Sequence, residues 1–181
     1  MRKKRLIALL RGINVGRAKR VAMADLRKVL SDMDFSDVRT VLNSGNVVFD
    51  CNATDAAGCG SRIEEALVLK LGVPAKVTVL EASELAAIVE ENSLQELAVD
   101  HSRLVVAVLA KPDEDHAKLE PLAHASWQPE AFALGRLAAY IWCPNGVLAS
   151  RAAAAMGNAL GDAVTSRNWS TISKLHVLAN T

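Results

Sequence analysis

No stretch of eighteen consecutive apolar residues occurs in this 181-residue chain, which excludes a membrane-spanning helix and leaves no membrane partner to expect. Cysteine is scarce. Cys51, Cys59 and Cys143 are odd in number and show no C-x-x-C spacing, so the set points to reduced thiols in the cytoplasm rather than a disulfide framework. The four histidines, His101, His116, His124 and His176, form neither H-x-x-x-H nor H-E-x-x-H, so no metal is expected. The P-loop pattern G-x-x-x-x-G-K-[ST], the dinucleotide fingerprint G-x-G-x-x-G and the nucleophile elbow G-x-S-x-G are all absent. No cofactor is expected.

What is present is a lopsided charge distribution. Residues 1–28 hold ten Lys and Arg against Asp25 alone, a net +9, and the remainder of the chain carries −8. Such a cluster attracts anions over about 8 Å at physiological salt, although a solvated helix face would look the same in sequence. Arg2-Lys3-Lys4-Arg5 before Leu6–Leu10 superficially matches a signal peptide. The apolar run is only five residues long before Arg11, and no small-residue cleavage site follows. We read Leu6–Leu10 as a strand buried on both faces.

In chain order the patterning predicts a strand at Leu6–Leu10, a helix at Met23–Met33, and a hairpin of Val38–Leu42 and Asn46–Phe49 about Asn43-Ser44-Gly45. A polar loop of Cys51–Gly60, a helix at Ser61–Leu71 stopped by Gly72, and a strand at Ala75–Leu80 follow. After an amphipathic helix at Ala82–Glu91 the order recurs. Strands are expected at Arg103–Ala110, Glu130–Leu134, Leu137–Trp142 and Ala163–Ser166, with helices at Asp113–Ala123 and Leu148–Leu160. A final helix at Trp169–Ala179 has Asn168 as its cap. The expected fold class is therefore α+β, with two ferredoxin-like βαββαβ subdomains, 1–81 and 100–181, joined by a helical linker, 82–99.

In a ferredoxin-like sheet the first and third strands are antiparallel neighbours, so the loop after the first strand meets the hairpin before the third. Arg11, Gly12, Asn14 and Gly16 are thereby brought beside Asn43, Ser44, Gly45 and Asn46, with Arg17, Lys19 and Arg20 close by. Glycines that expose backbone N–H groups, a helix N-terminus just downstream, a guanidinium and several amides make this a candidate anion site. Two turns made by glycine would leave the same pattern. Arg167 and Asn168, at the start of the last helix, are either part of a binding surface or an elaborate cap anchored by Trp169.

Aromatic residues make up 4% of the chain, and the first strand has none. The third strand offers only Phe49, so base stacking of the RNA-recognition type is not expected, and nucleic acid enters only as a backbone-bound partner. Ser44 has no His or Asp near it in sequence, and no catalytic residue is assigned.

Three stretches, Leu9–Gly16, Ser44–Phe49 and Arg167–Thr171, resemble a bacterial family known as domain of unknown function 1697. Its members show Leu-Leu-Arg-Gly-Ile-Asn-Val-Gly, Ser-Gly-Asn-Val-Val-Phe and Arg-Asn-Trp-x-Thr elements. This chain departs from the family pattern at Arg17, where a second glycine is usual, and at Ala22, where Pro or Lys often precedes Met. The resemblance implies two linked ferredoxin-like subdomains and supplies no activity. The expected function is binding of an anionic ligand, a phosphorylated metabolite or a nucleic-acid backbone, at the loop after the first strand. An enzyme acting on a small anionic substrate and a structural or assembly protein are the alternatives. The strands that are apolar on both faces need cover from the linker helix, the other subdomain or a second copy in a homodimer.

Overall fold

A computed structural model describes residues 2–17, 19–52, 56–161 and 164–181. The chain divides into two compact units, Met1–Leu85 with Lys174–Thr181, and Ala86–Ser173.

The first unit contains β1 (Lys4–Arg11), α1 (Met23–Ser31), β2 (Ser36–Val41), β3 (Asn46–Cys51), α2 (Ala56–Leu71) and β4 (Lys76–Glu81). Its sheet is antiparallel throughout, in the order β2-β3-β1-β4. Period-two alternation puts Leu6, Ala8 and Leu10 on the face that packs with Leu26 and Leu30 of α1 and Ile63 and Leu67 of α2. Ile7 and Leu9, on the opposite face, are equally buried, which is why the run is continuously apolar. Each such leucine contributes about 1.5–3 kcal/mol by leaving water.

Helix α2 begins at Ala56, within the segment expected to be a polar loop. Cys59 is fully buried, and a Cβ added at Gly60 would lie 3.2 Å from the Val77 carbonyl oxygen. Small residues thus let the first turns of α2 lie close against β4, a packing effect that polarity alone does not reveal. Residues 53–55 of that expected loop lie outside the described residues.

The basic run at the start of the chain is built into the sheet. Arg5 stands opposite Asp50 and donates to both carboxylate oxygens, at 2.5 and 3.1 Å, and to Asp37 at 2.9 Å. Lys4 pairs with Glu81 of β4 at 2.7 Å; outside the sheet, Lys28 of α1 pairs with Asp32 at 3.0 Å.

The second unit continues α3 (Ala82–Glu90, shared with the first) through a 3-10 turn at His101–Arg103. It then holds β5 (Leu104–Val108), α4 (Pro112–His124), β6 (Ala131–Leu134), β7 (Ala138–Trp142), α5 (Arg151–Leu160) and β8 (Thr165–Asn168). Helix α6 (Trp169–Ala179) follows and passes into the first unit. The sheet order β6-β7-β5-β8 repeats that of the first unit. Both sheets with their helices have the ferredoxin-like βαββαβ arrangement. Strand β8 begins two residues later than expected, and Ala163 lies outside the described residues. Helix α5 begins at Arg151 because Ser150 caps it by accepting from Ala153 N, at 3.0 Å. Among the described residues no helix is long and apolar enough to cross a membrane.

Candidate functional site

The loop after β1 and the β2–β3 hairpin meet at one end of the first sheet. Leu9 pairs with Asn46, and Leu10 N donates to Gly45 O at 2.8 Å. Gly45 has φ +84°, and a Cβ there would fall 2.7 Å from Leu10 Cβ and 2.9 Å from Ile13 Cδ1. No side chain fits, so glycine alone lets the hairpin tip rest on the end of β1.

Asn14 stitches the loop together. It occupies the left-handed region, φ 53°, which asparagine tolerates better than most residues. Its Nδ2 donates to Val21 O (2.9 Å) and Asn43 O (2.8 Å), and its Oδ1 accepts from Val21 N (2.7 Å). Both amide hydrogens are therefore committed to backbone. Asn46 is fully buried and plays a parallel part inside the hairpin, where Nδ2 donates to Val41 O (2.9 Å) and Ser44 Oγ (2.8 Å). A donor aimed at Ser44 Oγ does nothing to make that hydroxyl a nucleophile.

The polar atoms of this corner border an open groove of about 600 Å³. Its walls include Asn14, Arg20, Ala22, Leu42, Asn43 and Ser44. Arg20 is held there by donating from Nη1 to Asn14 O at 2.8 Å. Helix α1 starts at the same place. Its N-cap, Ala22, has the extended backbone of a cap (φ −70°, ψ 139°) but no side-chain oxygen, so it gives the first-turn N–H groups no side-chain cap. The groove thus combines a guanidinium, amide and hydroxyl groups, and the positive end of a nine-residue helix dipole.

The remaining residues singled out in the sequence fall elsewhere. Arg11 and Gly12 line a second groove, of about 590 Å³, with Lys76 but also with Glu64 and Glu65. Two carboxylates there work against an anion. Lys19 reaches the opposite way and donates to Leu71 O, at 2.5 Å, at the C-terminus of α2, where a cation suits the helix dipole. Gly16 takes φ +53° with open space around it. In the second unit, Asn168 Oδ1 accepts from Thr171 N at 2.9 Å, which is an N-cap bond, and Arg167 Nη1 donates to Ser166 O at 2.9 Å. Trp169 is buried beside the cap in sequence. Among the described residues no group of three or more His, Cys, Asp or Glu is placed to hold a metal ion.

Leu42 carries no chemical signature of its own, and Ala22 stands out in the sequence only as a departure from the family pattern. The usable signal was negative: a helix start with no Ser, Thr, Asp or Asn at the cap position, directly after Arg20.

The sequence profile of a family described as "Protein of unknown function (DUF1697)" matches residues 3–140. No curated protein matches the chain. Among solved structures, the chain is similar to the conserved bacterial protein SP0830 from Streptococcus pneumoniae. The two are 20% identical, with a TM-score of 0.73, over 98% of this chain and 99% of that one.

Proposed function

We propose, for a chain that belongs to the DUF1697 family of proteins of unknown function, that it binds a small phosphate-bearing ligand in the groove between the β1–α1 loop and the β2–β3 hairpin. The observation that carries this reading is the first turn of α1, left without a side-chain cap by Ala22 and opening beside Arg20 onto about 600 Å³ of accessible space. Unsatisfied N–H groups at a helix start and an adjacent guanidinium are the two elements with which proteins most often hold phosphate. Arg20 supplies the positive charge here, and Asn14 and Asn46 keep the two loops in register around it.

Of the two anions considered, the small one is favoured over a nucleic-acid backbone. Of the ten Lys and Arg in residues 1–28, Lys4, Arg5 and Lys28 are engaged with Glu81, Asp50 and Asp32, which takes three cations out of any continuous row. An extended polyanion needs a row of available cations, whereas one phosphoryl group needs a single well-built corner.

Isothermal titration with inorganic phosphate and with a phosphomonoester tests the reading. Saturable binding that weakens about tenfold or more in Arg20→Ala is expected, the loss of one charge-assisted contact. Equal binding by wild type and Arg20→Ala would overturn it. A single-stranded oligonucleotide serves as the competing arm: binding tighter than phosphate, with an affinity falling steeply as salt rises, would favour the polyanion instead.

A further inference from the structure

Cys51 is the last residue of β3, and Cys59 is the fourth residue of α2. Nothing in their eight-residue spacing announces a relationship, yet folding sets their sulfurs 3.7 Å apart. Both are buried, at 3% and 0% exposure, and neither is part of a disulfide. From this juxtaposition we infer that Cys51 and Cys59 are a thiol modification site that closes reversibly to an internal disulfide.

A disulfide requires the sulfurs at about 2.05 Å. They already stand in van der Waals contact, and closing the bond brings them about 1.7 Å nearer. Cys143 provides the contrast. It belongs to the second unit, its thiol donates to Ile141 O at 3.8 Å, and burial pushes its pKa up.

The oxidant is a low-molecular-weight disulfide. One cysteine, as thiolate, attacks a sulfur of the small disulfide, forms a mixed disulfide and releases one small thiol. The second cysteine, as thiolate, attacks the protein-side sulfur of that bond and releases the other small thiol. Two electrons pass from the protein pair to the oxidant, and the two thiol protons end on the two small thiols. Access runs through the start of α2, because first-turn residues lack intrahelical N–H bonds and open more cheaply than the whole domain. The product is a short covalent ring tying the end of β3 to the first turns of α2.

The full-length reduced protein is incubated with oxidised glutathione at neutral pH, denatured, alkylated with iodoacetamide and digested with trypsin. Between Thr40 and Arg62 there is no Lys or Arg, so both cysteines fall on one peptide. That peptide is expected to carry no alkyl group and to weigh two hydrogens less than its dithiol form, while Cys143 is alkylated. The oxidised protein is expected to melt several degrees higher (~5 °C), by the restricted unfolded chain, and to return on reduction with dithiothreitol. Cys59→Ser abolishes both the mass change and the melting shift. Alkylation of both Cys51 and Cys59 after oxidation, separate glutathione adducts on each, or oxidation of Cys143 at the same rate would overturn the assignment.

Discussion

The side-chain amide of Asn14 donates a 2.8 Å hydrogen bond to the backbone carbonyl of Asn43, and this bond joins the β1–α1 loop to the β2–β3 hairpin. The same amide group also holds Val21 through two further bonds. Asn14→Ala removes all three and is expected to lower stability by about 2–3 kcal/mol in urea unfolding. Asn14→Asp keeps an acceptor for Val21 N but turns a carboxylate towards two carbonyl oxygens, so at neutral pH it should be no better than alanine. A loss under 0.5 kcal/mol (roughly the scatter of surface substitutions) would mean that the loop is held by other contacts.

Gly45 and Gly16 both have positive φ, but their surroundings separate them. Gly45→Ala meets Leu10 and Ile13 as well as backbone strain, and should cost about 2–4 kcal/mol. At Gly16 the space is open, and alanine should cost only about 1 kcal/mol. Equal losses measured by thermal or urea unfolding would show that crowding at the hairpin tip relaxes away.

Glu130 ties stability to pH. Its side chain is 8% exposed, and its carboxylate receives Ser150 Oγ, Arg151 N (2.9 Å) and Ala152 N (3.2 Å) at the start of α5. Burial pushes its pKa up, but the hydrogen bonds outweigh burial and hold the carboxyl below its ordinary value of 4.5. A depressed pKa means stability that is fully present above the ordinary value and lost as pH falls through the folded one. Glu130→Gln should therefore be less stable than wild type at pH 7, and the gap should narrow below about pH 4.5. A gap that stays constant down to about pH 3 would remove Glu130 as the titrating group.

Asp25 sits in the first turn of α1 and is exposed. If the N-terminal end of that helix receives an anion, its carboxylate opposes the ligand across a short distance. Asp25→Asn is expected to tighten inorganic phosphate binding about two- to fivefold at low salt, with a smaller gain at high salt. Unchanged binding in this variant would place the anion away from α1.

Much of the fold was legible because each unit is written in strong signals. Continuous apolar runs such as Leu6–Leu10 and Leu104–Ala110 mark central strands, and the Asn43-Ser44-Gly45 turn marks a hairpin. The recurrence of strand, helix, hairpin, helix and strand then leaves few topologies. The meeting of the two loops also followed, since strand polarity decides which ends lie together. What did not follow was the direction of individual side chains. Arg11 and Arg20 are alike in sequence, yet Arg11, at the end of β1 opposite Lys76, lines the groove that Glu64 and Glu65 share, while Arg20 is turned to Asn14. The start of α2 was hidden because Ala, Gly and Cys read as loop until packing against the sheet gives them a reason to be small. Asn168 was legible as a cap because Asn before a helix has one dominant local use.

The most direct measurement is a two-dimensional amide NMR titration of the full chain with inorganic phosphate. Saturable shifts concentrated at Arg20, Met23, Ala24, Asn43 and Ser44, and greatly reduced in Arg20→Ala, are the predicted result. Shifts that centre instead on Arg11, Gly12 and Lys76, or that grow linearly without saturation, would contradict the account.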